Sequence, residues 1–130
     1  MNQHYDTINL PKHETALFCA DIHLHHTADH IAPTHYFLNM LIAWSQQHHL
    51  IFLLGDVFEY WLDRYCKDRF TYFFNTLKKK KGPAKLYFMH GNRDFLIDAQ
   101  TLSCIGAQLI TDPCVLTTPT RRICLSHGDL

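Results

Sequence analysis

The stretch LIFLLGD, residues 50–56, decides the fold class, because five apolar residues run directly into a glycine and an aspartate. A short apolar run closed by a turn residue is typical of a strand buried on both faces of a parallel sheet. The pattern recurs as ALFCAD at residues 16–21 and as LYFMHGN at residues 86–92. These stretches predict three strands that each end in polar residues.

Helical patterns separate the predicted strands. Residues 34–47 and 70–77 carry apolar side chains at the spacing of an amphipathic helix. Asp98 is placed to cap a third helix that ends near Gly106. Strands alternating with helices predict an α/β fold with a parallel sheet, in a single domain that covers residues 1–130.

Two more strands are predicted late in the chain, at residues 114–117 and 122–125 around a turn at 118–120. If the strands are parallel neighbours, their carboxyl ends meet at one edge of the sheet, where ligands gather in α/β folds. Five side chains with metal-binding atoms would then converge there: Asp21, His23, Asp56, Asn92 and His127.

This set combines carboxylate, imidazole and amide donors, which suits Mn, Fe or Zn better than Ca. Asp56 is the natural bridge between two ions, since it lies in the middle of the ligand order. Each motif alone is weak: a DxH sequence is common in surface loops, and a strand ending in GD is common in other α/β proteins. The four motifs together, in this order and each after an apolar strand, predict a two-metal site.

Composition sets limits on other functions. The chain has 130 residues, of which 47% are hydrophobic, and its twelve basic and twelve acidic residues cancel. A nucleic-acid partner held by bulk charge is therefore not predicted. The five cysteines lack CxxC spacing, which indicates reduced thiols in a cytoplasmic protein. No apolar run approaches the ~18 residues of a membrane span, so any membrane contact is expected to be peripheral.

The motif order D-x-H, GD, GN-R-D and HG resembles that of the calcineurin-like metallophosphoesterases. Most members of that superfamily have histidine after the GN asparagine, where this chain has Arg93. The strings GDVFEYW, FMHGNRDFLI and LSHGD are similar to those of the UDP-2,3-diacylglucosamine pyrophosphatases of lipid A synthesis. The likeness runs over residues 18–130.

The resemblance implies a four-layer α/β/β/α sandwich that holds two divalent ions, with manganese as the usual metal. Asp21 and His23 would bind the first ion, and Asp56 would bridge the pair. Asn92 and His127 would bind the second ion. Asp56, Asn92 and His127 are accordingly the residues expected to take part in catalysis.

The resemblance also implies substrate contacts. Asn92, Arg93 and Asp129 would contact the substrate, and an arginine suits phosphate because its planar fork grips two oxygens. The implied reaction splits the diphosphate of UDP-2,3-diacylglucosamine into UMP and 2,3-diacylglucosamine 1-phosphate. The implied location is the cytoplasmic face of the inner membrane, as a peripheral protein. Phe95 and Leu96 are expected in the core, with an acyl-chain contact as the alternative.

The chain departs from the family in two respects. The family has a later GHxH motif and a helical insertion after HGD, and neither occurs in these 130 residues. We therefore expect a domain truncated after the fourth metal motif, with weak or no activity by itself. Two alternatives remain open: a metallophosphoesterase acting on nucleotides or phosphoproteins, and a non-catalytic remnant that binds metal.

Overall fold

Strands and helices alternate along most of the chain. The computed structural model describes residues 4–27, 31–61 and 65–128. In chain order the elements are β1 (Thr7–Asn9), β2 (Ala16–Cys19), α1 (Ile31–Gln47), β3 (Leu50–Leu54), α2 (Tyr65–Arg69), α3 (Thr71–Lys80), β4 (Lys85–Met89), α4 (Ala99–Ser103), β5 (Ala107–Ile110), β6 (Cys114–Thr117) and β7 (Arg122–Leu125). The predicted α/β class is confirmed.

A four-stranded parallel sheet has the order β2-β3-β4-β5. Ile51 and Phe52 in β3 are fully buried, as expected for an apolar strand covered on both faces. Because all four strands run in the same direction, the loops after β2, β3 and β4 emerge at one edge. This is the arrangement that the three apolar stretches predict.

Helices α1, α3 and α4 contribute side chains to a core cluster on one face of this sheet. Helix α1 begins at Ile31, three residues before the predicted start. Pro33 is tolerated in its first turn, where a backbone N–H has no partner within the helix. Asp98 caps α4 as predicted, accepting a hydrogen bond from the Thr101 N–H at 2.7 Å.

A second sheet has the order β1-β6-β7. Strand β1 pairs with β6 in parallel, and β6 pairs with β7 as an antiparallel hairpin. The expectation that the strand before His127 is a parallel neighbour of the others is therefore wrong. Apolar runs identify strands but carry no information about pairing, and the hairpin turn at 118–120 reverses the chain.

The two sheets face each other across an apolar layer. Phe52 points into it, with its ring stacked between those of Phe18 and Tyr87 at centroid distances of 5.3 and 5.0 Å. The neighbouring Ile51 and Leu53 point to the helices instead. The described residues thus form a helix layer, a parallel sheet and a second sheet. The fourth layer of the predicted sandwich stays a prediction.

No helix among the described residues combines the length and the apolar character needed to cross a bilayer. The cysteines described there, Cys19, Cys104, Cys114 and Cys124, are free thiols. 

Candidate metal centre

Loops at the carboxyl ends of β2 and β3 form the centre of the candidate site. Asp21 and His23 follow β2, and Asp56 follows β3. One potential ligand atom from each side chain lies within 4.8 Å of the other two. The His23 N–H donates to the Asp56 carbonyl at 3.0 Å, which holds the two loops side by side. The three side chains meet as the strand order predicts, and their role as ligands stays a prediction.

All three residues have a left-handed backbone, which residues other than glycine rarely adopt. The φ angle is 55° at Asp21, 55° at His23 and 51° at Asp56. Such conformations cost on the order of 1–3 kcal/mol each and persist only where the surrounding structure imposes them. Strain of this kind clusters at functional sites, so it supports a function for this group of residues.

His127 reaches the same place from the second sheet. Its Nε2 atom lies 3.2 Å from Oδ2 of Asp56, and its Nδ1 atom donates to the Leu54 carbonyl at 2.9 Å. The pKa of His127 is raised, chiefly by the hydrogen bond to Leu54. Burial opposes this shift, and the carboxylates of Asp56, Asp21 and Asp112 add to it.

Two glycines make this close packing possible. A Cβ atom on Gly55 would collide with the imidazole of His127. A Cβ atom on Gly91 would collide with the backbone nitrogen and the carboxylate of Asp56. The loops after β3, β4 and β7 therefore come together at a point where the backbone itself approaches the predicted ligands.

The loop after β4 lies directly against Asp56. The Arg93 N–H donates to Oδ1 of Asp56 at 2.8 Å. Asn92 precedes this contact, and both Asn92 and Arg93 are exposed. The structure thus brings the Asn92 backbone next to Asp56, and it leaves the Arg93 guanidinium open to solvent.

Asp94 is a site residue that the sequence analysis did not single out. Its side chain is fully buried, and its carboxylate accepts four backbone N–H groups. Oδ1 accepts from Gly91 at 2.9 Å and from Asp56 at 3.3 Å. Oδ2 accepts from Val57 at 2.8 Å and from Phe58 at 3.2 Å. Asp94 therefore ties the loop after β4 to the loop that carries Asp56.

The predictions for Asp129, Phe95 and Leu96 have different outcomes. Asp129 lies outside the described residues. Phe95 and Leu96 are 59% and 50% exposed, so the expectation that they belong to the core is wrong. They form the exposed middle of a loop that is anchored on either side by the buried Asp94 and Ile97.

The donors that meet at this site suit a divalent cation. Two carboxylates and two imidazoles lie together, and the carboxylate of Asp56 is close to each of the other three groups. Within the described part of the chain, Asp21, His23 and Asp56 form the group of three acidic, histidine or cysteine residues that are near enough to share an ion. Mixed oxygen and nitrogen donors favour Mn, Fe or Zn.

A cleft of about 620 Å³ lies at the opposite end of the strands, with Asn9, His48 and Lys85 in its lining. None of the four clustered side chains lines it. Ligands of parallel α/β sheets bind beyond the carboxyl ends of the strands, and this cleft is at the amino ends. The group of carboxylates and imidazoles around Asp56 is therefore the better candidate for a functional site.

Fold and site together define a class: a parallel α/β protein with a candidate metal centre at the carboxyl ends of its strands. No family model matches the chain. Curated proteins named UDP-2,3-diacylglucosamine hydrolase are similar to it. The protein from Chromohalobacter salexigens is 38% identical over 117 residues, which are 88% of this chain and 47% of the relative.

Two further relatives carry the same name. The Chromobacterium violaceum protein is 38% identical over 115 residues, covering 86% of this chain and 47% of the relative. The Pseudomonas aeruginosa protein is 32% identical over 117 residues, covering 88% and 48%. The chain spans about half the length of these curated relatives. It is homologous, over most of its own length, to the UDP-2,3-diacylglucosamine hydrolases, and the resemblance predicted from the motifs is confirmed.

Proposed function

We propose that this chain is the metal-binding part of an enzyme that hydrolyses UDP-2,3-diacylglucosamine at its diphosphate. The products would be UMP and 2,3-diacylglucosamine 1-phosphate, a step of lipid A synthesis. The observation that carries the proposal is the meeting of Asp21, His23, Asp56 and His127 in a chain 38% identical to hydrolases with that name.

Two divalent ions, with manganese as the proposed metal, would be held by the chain's own side chains. Asp21 and His23 would hold one, Asn92 and His127 the other, and Asp56 would bridge them. Asp56 suits that role because His127 approaches its Oδ2 and the two β2-loop donors lie within 4.8 Å. Such ions supply Lewis-acid stabilisation to a phosphoryl group under attack.

The chain's exposed residues at the site would orient the substrate. The Arg93 guanidinium, whose side chain is 59% exposed, is free to grip phosphate oxygens in a bidentate manner. Phe95 and Leu96 follow it along the same open loop, so they would lie beside the apolar part of a lipid-linked nucleotide. Asp129 is proposed as a further substrate contact. Peripheral contact with the inner membrane would give access to such a lipid.

The proposal is tested by assaying the chain with UDP-2,3-diacylglucosamine and Mn²⁺ and by following release of UMP. We expect weak turnover, since the GHxH motif is absent from these residues. The turnover should be abolished by EDTA and by Asp56→Ala. A parallel assay of a full-length relative and its matching aspartate variant provides the positive control.

Three outcomes would contradict the proposal. Activity that survives EDTA would exclude the metal role. Full activity of Asp56→Ala would exclude the bridge. Turnover of nucleotide or phosphoprotein substrates in preference to the UDP-lipid would favour another metallophosphoesterase function.

A further inference from the structure

Glu59 adjoins the candidate metal centre through a contact with His23. Its backbone N–H donates to the Leu24 carbonyl at 3.0 Å, which fixes the main chain beside the DxH loop. Its Oε2 atom lies 2.7 Å from Nδ1 of His23. The Glu59 side chain is 24% exposed, so this contact is partly shielded from water.

The contact determines which nitrogen of His23 keeps a lone pair that a cation could use. A carboxylate oxygen only accepts hydrogen bonds, so Nδ1 of His23 must carry the proton and donate it to Glu59. Nε2 is then left without a proton when the ring is neutral, and its lone pair is available to a cation. Metal-binding histidines are commonly held in this way by a carboxylate behind the ring, which sets both the tautomer and the ring orientation.

Among the described residues, the other ion-pair partners of Glu59 lie farther from its carboxylate than His23 does. Nε2 of His25 lies 3.9 Å from Oε2, and Nη1 of Arg93 lies 3.9 Å from Oε1. These are loose contacts near the surface, which contribute little. The short bond to His23 is therefore the dominant interaction of the carboxylate.

We propose that Glu59 is a positioning residue that prepares His23 for metal binding by accepting the hydrogen bond from Nδ1. The inference rests on the proposed metal role of His23 but not on the identity of the substrate. What matters is the acceptor rather than the negative charge, since the hydrogen bond alone selects the tautomer.

If the hydrogen-bond acceptor is what matters, two substitutions of Glu59 should differ in their effect on metal binding. Glu59→Gln keeps a side-chain carbonyl at the same reach, so it should still accept from Nδ1. Glu59→Ala removes the acceptor and leaves the ring free to rotate and to exchange tautomers. Glu14→Gln is the matched control, because Glu14 is the other glutamate of the chain and lines the distant cleft.

The experiment measures Mn²⁺ affinity of the 130-residue chain by isothermal titration calorimetry. We expect Glu59→Ala to lower the affinity about 10- to 100-fold, the usual effect of losing such a partner. Glu59→Gln and Glu14→Gln should stay within about threefold of the parent, the scale of a weakened neutral hydrogen bond. Visible absorption of the Co²⁺-loaded chain should change with Glu59→Ala and not with Glu59→Gln.

A double-mutant cycle shows whether Glu59 acts through His23. In a His23→Ala background, Glu59→Ala should have no further effect on Mn²⁺ affinity, because the residue it positions is gone. An additive loss would identify Glu59 as a direct ligand and overturn the proposal. Equal losses in Glu59→Gln and Glu59→Ala would also overturn it, since charge would then be the operative property. A preference for nucleotide or phosphoprotein substrates over the UDP-lipid would contradict the proposed function while leaving these binding results decisive for Glu59.

Discussion

The carboxylate of Asp94 shows how a single buried residue organises the site. It is fully buried, and each of its oxygens accepts two backbone N–H groups. A buried charge is tolerated only when its hydrogen-bonding capacity is satisfied. Through these bonds Asp94 holds the backbone of Asp56 in its left-handed conformation.

Asp94→Asn should be strongly destabilising although it preserves shape. Whichever way the amide is oriented, its NH₂ group must face two backbone N–H donors, because both oxygen positions are acceptors. We expect a loss on the order of 2–4 kcal/mol in the free energy of unfolding, which includes two unsatisfied donors. Mn²⁺ affinity should fall as well. Urea unfolding and calorimetric titration measure the two effects.

Asp68→Asn provides the control, since Asp68 is exposed on α2. It should leave both quantities unchanged. If Asp94→Asn matched this control, Asp94 would have no part in organising the loops.

The raised pKa of His127 predicts that the stability of the fold depends on pH. Its folded-state pKa is raised above 6.5, mainly by the hydrogen bond to Leu54. In metal-free protein the protonated ring therefore stabilises the fold fully below pH 6.5, and this contribution is lost as pH rises through the raised pKa. Metal binding has the opposite trend, because a cation requires the neutral ring.

The measurement is the melting temperature of metal-free protein between pH 5.5 and 8.5, for the parent and for His127→Gln. The difference between them should be larger at the acidic end. A difference that grows towards alkaline pH would mean that folding lowers the pKa of His127 and does not raise it.

The sequence predicts the candidate ligands better than the residues that support them. Asp21, His23 and Asp56 follow from apolar runs that end in polar residues. Asp94 acts through its side-chain direction and short contacts, which spacing along the chain does not encode. The sequence does place an acidic residue directly after GNR, but nothing in that pattern indicates that Asp94 is buried.

At the scale of elements, strand β3 and its turn set the geometry of the centre. Gly55 has φ of 87°, and a Cβ atom there would meet the His127 ring. Gly128 has the same φ of 87°, but its Cβ would have no neighbour within 4 Å. The two glycines therefore share one backbone requirement and differ in packing.

Gly55→Ala and Gly128→Ala form a matched pair. Both should lose roughly 1–2 kcal/mol because alanine is strained in a left-handed conformation. Gly55→Ala should lose more, since His127 must also be displaced, and its Mn²⁺ affinity should drop at least tenfold. Equal unfolding free energies and equal affinities for the two variants would contradict the close contact between the β3 turn and His127.

Some strands have the bounds that the sequence predicts, and others were not predicted. The bounds of β3, β6 and β7 agree with the prediction, because strong apolar runs or a clear turn define them. Strands β1 and β5 were not predicted, since TIN and AQLI are short and include polar residues. Strand β5 lies directly after Gly106 and owes its place to pairing with β4, which is a tertiary effect.

At the scale of the whole molecule, the site joins the two sheets. Asp21, His23 and Asp56 come from the parallel sheet, and His127 comes from the second sheet. A cation bound by all four would stabilise the assembled form and not the unfolded chain. Stability should then depend on metal concentration by mass action.

Adding Mn²⁺ to the metal-free chain should raise the melting temperature in a concentration-dependent manner. At 100 times the dissociation constant the gain corresponds to about 2.7 kcal/mol. Asp56→Ala should remove the shift, while Asp68→Asn should retain it. Differential scanning fluorimetry with and without EDTA measures the effect. A shift that persists in Asp56→Ala would locate the stabilising ion elsewhere.

The hydrogen bond from His127 to the Leu54 carbonyl has a consequence for biosynthesis. As the chain leaves the ribosome, Asp21, His23 and Asp56 emerge well before the β6–β7 hairpin, so three members of the cluster precede His127. A cation that needed all four residues would be held tightly only after the hairpin had docked and brought His127 to Asp56. Retention of such an ion would then report that the two sheets have come together correctly.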